Sequence, residues 1–346
     1  MTSYKFETAS FDKLLDLLSK SNYSSIFILV DENSKKHCLP ILEKALSGKI
    51  DLNIIEIASG EINKNIESCQ QIWTELLNGK ADRNSLLINL GGGVITDMGG
   101  FAAMTYKRGI HFIHIPTTLL SMVDASIGGK LGIDFRNIKN AVGLFAEPRA
   151  VFIYPDFIKT LNNRELLSGF AEVIKHALIY DKSLWKYITS TSFENIDWDA
   201  VLKKSLQVKK EIVSIDPYEK SLRKILNFGH SIGHAVESYF LETETPLKHG
   251  EAVALGMICE AYISTKILGL KIEKLDTITK FIRPYFVDVV IKEDYFPDIL
   301  NFLEQDKKNS KGLFKFSLLK KIGKAEYDVE VSSDLIFESL RYYSTK

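Results

Sequence analysis

The stretch Ser85-Leu-Leu-Ile-Asn-Leu90-Gly-Gly-Gly-Val-Ile-Thr-Asp97 decides the fold. A short apolar run passes without a break into three glycines. Such a run, bounded by turn residues, reads as a strand buried inside a sheet. Glycines after a sheet strand let the backbone approach a phosphate closely. A helix starting there offers free N–H groups and the positive end of its dipole. The spacing is not Gly-x-Gly-x-x-Gly, because Thr96 stands where the third glycine would be. The residues alone therefore leave two readings, a nucleotide-binding turn and a plain tight turn. A P-loop is excluded, since Gly128-Gly129-Lys130 is followed by Leu131 rather than by a metal-binding hydroxyl.

Working outward, Ser25–Val30, Leu52–Ile57 and His111–Ile115 read as further strands, the last stopped by Pro116. Leu39, Ile41, Leu42 and Ala45 share an apolar helix face, and Ile66–Leu77 reads as another helix. Strand–helix alternation predicts a parallel sheet with helices on both faces. Beyond about Thr160 helical periodicity takes over, as in Phe170, Val173, Ile174, Ala177 and Leu178, and strand-like runs become scarce. The boundary is placed near residues 155–165. It separates an α/β domain over 1–160 from a mostly α-helical domain over 161–346.

The chain has 346 residues, 45% hydrophobic and 25% charged, the balance of a globular protein rather than a disordered one. Lys plus Arg number 44 and Asp plus Glu number 44, so no global field attracts nucleic acid or an acidic membrane. The first residues lack the basic patch and apolar stretch of a signal peptide. The longest apolar run, Ala252–Ile263, is interrupted by Glu260 and is too short to span a membrane. Cys38, Cys69 and Cys259 lie far apart, which argues against a disulfide framework or a cysteine-rich zinc site. A reducing cytoplasm is the expected location, with each cysteine a small buried hydrophobe.

Of seven histidines, three fall close together: His230, His234 and His249. His230 and His234 stand one helical turn apart. Two imidazoles on one face can share a metal, or one can bind it while the other moves protons. They could equally be ordinary polar helix residues. His249, in Lys248-His-Gly-Glu251, could add a ligand from a loop. Gly229-His-Ser-Ile-Gly233 matches a serine-hydrolase elbow, but no suitable acid-then-histidine order follows it. Several cations sit near Gly, Asn or His, each of which could be a solvated surface charge. Glu172 and Lys175, three apart on one helix, could be a modest surface pair.

Taken together, these segments resemble the sugar phosphate cyclase family. The resemblance runs in order from Asp31 to Lys324. It is carried by Ser59-Gly-Glu-Ile-Asn-Lys64, Gly91–Asp97, Pro116-Thr-Thr-Leu-Leu120, Val123–Lys130, Ala171-Glu-Val-Ile-Lys175, Leu226–His234, His249-Gly-Glu251 and Asp306-Lys-Lys-Asn309. It implies a Rossmann-like NAD-binding domain, a helical metal- and substrate-binding domain, and an active site in the cleft between them.

The resemblance further implies a divalent metal, Zn2+ first and Co2+ second, held by Glu172, His230 and His249. His234 then handles protons. For NAD it implies Asp31, Glu32 and Asn33 after the first strand. Gly60, Glu61 and Lys64 follow, then Gly92, Gly93, Val94 and Asp97 in the glycine turn. Thr117, Thr118, Lys130, Lys139, Phe157 and Thr160 complete that set. For substrate it implies Arg108, Lys130, Asn140, Lys175, Lys209, Arg223 and Asn227, with Lys307 or its neighbour Lys308.

The implied substrate is a small anionic seven-carbon sugar phosphate, and the implied assembly a homodimer. Arg suits a planar carboxylate and Lys a phosphate, which gives these cations a reason to gather. Other members of the family, and metal-dependent NAD-linked polyol or glycerol phosphate dehydrogenases, are the alternatives. The sequence departs from the family pattern at Thr96, at Leu131 and in Phe135-Arg-Asn-Ile138.

Overall fold

The computed structural model describes residues 5–8, 11–46, 50–136, 138–241, 243–306 and 313–345. They form two compact units, Met1–Asn162 and Asn163–Lys346.

The first unit is built on the expected parallel sheet. Its strands are β1 (Lys5–Thr8), β2 (Ile26–Asp31), β3 (Asn53–Ile57), β4 (Leu86–Gly91), β5 (His111–Pro116) and β8 (Ala150–Ile153), in the order β1-β8-β5-β4-β2-β3. Every pairing within this sheet is parallel. The stretch that opened the sequence reading is the strand β4, buried along its whole length. Helices α1 (Glu32–His37), α2 (Ile66–Asn78) and α3 (Gly93–Thr105) follow β2, β3 and β4. On one side Ile72 and Leu76 of α2 join Met98 and Ala102 of α3 in a core with Leu29, Leu87 and Phe112 of the sheet.

Two features of this unit were not in the sequence reading. β1 and β8 add an edge that no local pattern announced. An antiparallel hairpin also forms between β6 (Lys130–Phe135) and β7 (Ile138–Phe145). Its Leu131 reaches α3, where a Cβ on Gly100 would come within 2.4 Å of the leucine side chain. The departure at Leu131 is thus absorbed by packing against a glycine.

The second unit is mainly helical, as expected. Its central helices are α4 (Asn163–Ile179), α5 (Trp198–Ile215), α6 (His230–Leu241) and α7 (His249–Ile267). Strands are less scarce than the sequence reading held. β9 (Leu313–Lys321) and β10 (Lys324–Ser332) pair as an antiparallel hairpin that turns at Gly323. Phe314, Phe316, Leu318 and Leu319 of β9 are buried, so the hairpin adds an apolar face to the helices. No helix of the described residues is long and apolar enough to cross a membrane. Cys38, Cys69 and Cys259 are all buried and free.

One polar pair sits inside the sheet. Asn89 on β4 lies beside its register partner His114 on β5, with Asn89 Nδ2 3.2 Å from His114 Nδ1. An amide donor needs an acceptor, so Nδ1 is unprotonated and the ring neutral. Burial alone pushes the imidazole pKa down to about 3 from 6.5. The unfolded chain therefore takes up a proton at a pH where the folded chain does not. The stabilisation is complete above pH 6.5 and is lost as pH falls toward 3. Each pH unit crossed in that window costs about 1.4 kcal/mol. The His114 ring resonances should not titrate between pH 5 and 8 in NMR of the folded protein. A normal midpoint near 6.5 would contradict this.

Candidate active site

In the first unit, α3 begins immediately after β4. Gly92 is its N-cap and has no side chain to offer, and no side-chain cap hydrogen bond is made there. Thr117 N donates to Gly91 O at 2.9 Å and ties the end of β5 beside the turn. A Cβ on Gly92 would lie 3.2 Å from Thr118 Cγ2. Thr96 faces inward, fully buried, and its hydroxyl donates back to Gly93 O at 3.1 Å. The departure at Thr96 is therefore absorbed within α3. Val94 is half-buried on the first turn of α3.

Asp31 ends β2 and caps α1, its carboxylate accepting Ser34 N at 2.7 Å. The carboxylate of Glu32 accepts Ser59 N at 2.8 Å and Ser59 Oγ at 2.6 Å. This clamps the Ser59–Lys64 turn, in which Gly60 has φ +99°, beside α1. Asn33 is exposed next to it.

Lys64 joins segments far apart in sequence. Its buried ammonium donates to Asp97 Oδ2 and Asn140 Oδ1, both at 2.6 Å. Burial works against the ammonium charge, but the carboxylates of Asp97 and Glu61 outweigh it and hold the pKa above its usual value. Asn140, at φ +51°, is fixed by its N–H donating to Asp134 Oδ1 at 2.7 Å. Lys139 pairs with Glu61 at 3.2 Å. Lys130 and Arg108 are exposed, Arg108 in a left-handed turn at φ +69°. Phe157 is fully buried against Phe11 and Tyr154, and Thr160 donates to its carbonyl at 2.7 Å.

In the second unit the resemblance-derived residues converge. Glu172 on α4 is fully buried, and its Oε1 lies 3.4 Å from Nε2 of both His230 and His249. Its other oxygen pairs with Lys175, one turn along α4 and equally buried. The pair read as a possible surface contact is a core ion pair. Ring centroids of His230, His234 and His249 are 5.1 to 5.5 Å apart, and each ring offers a nitrogen within 4.8 Å of the others.

The far side of two rings is already engaged. His230 Nδ1 lies 3.2 Å from Phe228 O. His249 Nδ1 lies 3.1 Å from Glu237 Oε2. A carbonyl and a carboxylate only accept, so each Nδ1 carries hydrogen. Burial, with help from the Lys175 charge, lowers the pKa of His230. Burial also acts to lower that of His249, but the carboxylates of Glu237 and Glu172 on either side push it up to about 9.

His249 is not on a loop, as the sequence reading allowed, but opens α7. That helix end is held against α4. Arg164 grips Glu251 with two bonds of 2.7 Å, and Gly250 N donates to Ser168 Oγ at 3.0 Å. A Cβ on Gly250 would fall 2.1 Å from Ser168 O, so only glycine permits this approach. The elbow-like Gly229–Gly233 is likewise a helix crossing. Gly229 has φ +81°, and a Cβ on Gly256 of α7 would meet Gly229 O at 2.0 Å.

Lys209 on α5 and Arg223 are both buried. Asp216 shapes the loop before Arg223 by accepting N–H groups of Lys220, Ser221 and Arg223 at 3.0, 2.7 and 3.1 Å. Asn227 Nδ2 donates to Glu219 Oε1 at 2.6 Å. Lys307 and Lys308 lie outside the described residues. Sequence reasoning missed Glu237, Glu219, Asp216 and Arg164. Only Glu237 had a local signal, three residues after His234 on the same helix face.

A parallel sheet with a glycine-rich turn, followed by a helical unit presenting a glutamate to clustered histidines, is an architecture with known relatives. The chain has the fold of a 2-deoxy-scyllo-inosose synthase solved with carbaglucose-6-phosphate, NAD+ and Co2+ (TM-score 0.86, 23% identity, 98% of this chain and 96% of that one). It is similar to a 2-epi-5-epi-valiolone synthase from Streptomyces hygroscopicus subsp. jinggangensis solved with NAD+ and Zn2+ (TM-score 0.86, 25% identity, 100% and 98%). An iron-containing alcohol dehydrogenase shares the fold more distantly, at a TM-score of 0.67 and 16% identity over 100% and 98% of the two chains. The class is therefore the sugar phosphate cyclase fold.

The family models for the N-terminal and C-terminal parts of 3-dehydroquinate synthase match residues 54–168 and 169–309. A 3-dehydroquinate synthase of Parabacteroides distasonis is 42% identical over 96% of this chain and 94% of that protein. One of Thermoanaerobacter pseudethanolicus is 38% identical over 93% and 92%. The chain belongs to the 3-dehydroquinate synthase family, a family of enzymes.

The Gly250 contact can be tested directly. Gly250→Ala should force α7 away from α4 and destabilise the protein by about 1–3 kcal/mol. Denaturant unfolding with an unchanged m-value would show it. An unaltered midpoint would mean that the helix ends are not in close contact.

Proposed function

We propose that the chain converts 3-deoxy-D-arabino-heptulosonate 7-phosphate to 3-dehydroquinate and phosphate, a carbon–oxygen lyase reaction needing NAD and a divalent metal. The observation that carries the metal half is the placement of Glu172. In a tetrahedral zinc site with bonds of about 2.0–2.1 Å, neighbouring donors stand about 3.3–3.4 Å apart. Glu172 Oε1 lies 3.4 Å from Nε2 of both His230 and His249. Both rings hold a hydrogen on the far nitrogen, so Nε2 is the atom each would give to a cation, which at His249 would take the place of the proton that Glu237 and Glu172 favour there. Glu172, His230 and His249 are the proposed ligands, with Zn2+ favoured and Co2+ able to replace it. His234 stands beside both rings, 5.1 Å from His230 and 5.5 Å from His249 between ring centroids, and is the proposed proton-handling residue.

For NAD, the uncapped start of α3 after Gly92 suits the pyrophosphate. The chain around Asp31–Asn33 and Gly60–Lys64 suits the rest of the nucleotide. When bound, NAD would supply hydride chemistry and a divalent metal held by Glu172, His230 and His249 would supply Lewis acidity.

The chain's own residues supply the remainder. Arg223 offers a planar fork for the substrate carboxylate, and the lysines offer point charges to phosphate. Lys175 keeps Glu172 ionised by pairing with it in the core. His234 relays protons at neutral pH. Asn140 and Asn227, each held by a neighbouring side chain, supply polar contacts to hydroxyls. Lys130, Lys209, Arg108 and Lys307 belong to the same proposed set. A cytoplasmic location and a homodimer go with this reading.

Purified protein with the seven-carbon substrate, catalytic NAD and zinc should release phosphate and form dehydroquinate with no net NADH. Accumulating NADH with phosphate retained on the substrate would place the chain among the polyol dehydrogenases instead. His230→Ala should lose zinc, measured by metal content after dialysis. His234→Ala should keep zinc and lose at least ten-fold in kcat. Equal zinc loss in both variants would overturn the division of roles.

A further inference from the structure

The apolar face of α7 carries one carboxylate that the proposed chemistry does not use. Glu260 is fully buried, and its side chain points at the start of α6. Its Oε2 accepts Gly229 N at 2.6 Å, and its Oε1 accepts Ile232 N at 3.1 Å. The first N–H groups of a helix have no partner within it, and a side chain just before the helix commonly supplies one. Here that position is Gly229, which has no side chain. The cap comes instead from a neighbouring helix.

The two ends of a single peptide unit make this cap more than a helix stop. The Phe228–Gly229 peptide gives its N–H to Glu260 and its carbonyl to His230 Nδ1, the latter at 3.2 Å. A peptide whose N–H is held by a carboxylate has a more strongly polarised carbonyl. That carbonyl then binds the Nδ1 hydrogen more firmly and leaves Nε2 as the lone-pair nitrogen. Nε2 is the atom that faces Glu172. Gly256, one turn before Glu260 on α7, touches the same segment, since a Cβ there would meet Gly229 O. One helix therefore supplies His249 at its start and fixes the peptide behind His230 further along.

We propose that Glu260 is a positioning residue for the metal site, setting the tautomer and aim of His230 through the Phe228–Gly229 peptide. This rests on the metal reading given above. A carboxylate in the core is costly to desolvate, and an apolar residue would pack as well. Its two bonds to the α6 terminus are what it provides in return. The role is one step removed from the ion, as groups behind ligating histidines commonly are.

The experiment uses the full-length protein in metal-free form, with Zn2+ affinity read by competition with a chromogenic chelator. The His230 tautomer is read from long-range 1H–15N NMR of the imidazoles. In the wild type, His230 should carry hydrogen on Nδ1. Glu260→Gln replaces one acceptor by an N–H donor. It should shift His230 toward a tautomer mixture and weaken Zn2+ binding about ten-fold or more.

Ser264→Ala serves as the structural control. Ser264 Oγ donates to Glu260 O at 2.6 Å and accepts Leu319 N at 2.9 Å, without touching the carboxylate. It should lower Tm yet keep the wild-type tautomer and Zn2+ affinity. A folded Glu260→Gln protein with unchanged tautomer and affinity would overturn the proposal, as would equal weakening in Ser264→Ala. If Glu260→Gln does not fold, the wild-type spectrum decides: an Nε2–H tautomer at His230 overturns it. A wild type that binds no Zn2+ at all removes the metal reading itself, a result distinct from these.

Discussion

The close approach of α7 to α4 at Gly250 and Ser168 is the contact on which the helical unit depends. A histidine at the first position of a helix is placed only as accurately as that first turn is held. Here the turn is held by backbone against backbone, by the Ser168 hydroxyl and by the Arg164–Glu251 pair. Ser168 stands one turn before Glu172 on α4, so the same contact sets His249 against the glutamate. Further along α7, Gly256 and Glu260 fix the start of α6 and with it His230. Three helices are thereby referenced to one another at their ends, where side-chain positions are most sensitive to tilt.

The buried charges follow from that geometry rather than from any need of the fold. Glu172 and Lys175 are both in the core. Buried ion pairs can often be replaced by apolar pairs of similar volume without loss of stability. Lys64 and Asp97 repeat the arrangement in the sheet unit. Side chains that are costly to bury and held by short bonds lose little further freedom when a ligand arrives, which favours a site ordered before binding. The even balance of charges in the composition conceals this, because it counts residues without regard to where they lie.

The sequence made legible what is encoded locally. The apolar run at Leu86–Leu90 and the glycines after it specify a central strand and a helix start, and both are found. The Phe170–Leu178 periodicity specifies α4. What stayed hidden depends on partners distant in sequence. β1 and β8 are four residues each and are strands because they lie beside each other and β5. The β6–β7 hairpin, with four exposed large apolar residues at Phe135, Ile138, Val142 and Phe145, has no clean alternation to read. Glu260 looked like an interruption of an apolar run, since nothing nearby shows that the run faces a helix terminus. The clustering of Glu172 with His230 and His249 was likewise available only through family resemblance.

The strand order has a consequence for the newly made chain. β1 emerges first, yet its parallel partner β8 begins at Ala150, so the sheet edge at the N-terminus cannot close until nearly all of that unit has been synthesised. β2, β3 and β4 need a much shorter length and can assemble earlier. At ribosomal speeds of about 5–20 residues per second, the first strand waits several seconds for its place. Between its own synthesis and that of β8, β5 presents an unpaired edge. Shielding of nascent chain is therefore needed most on the side of the sheet that is completed last.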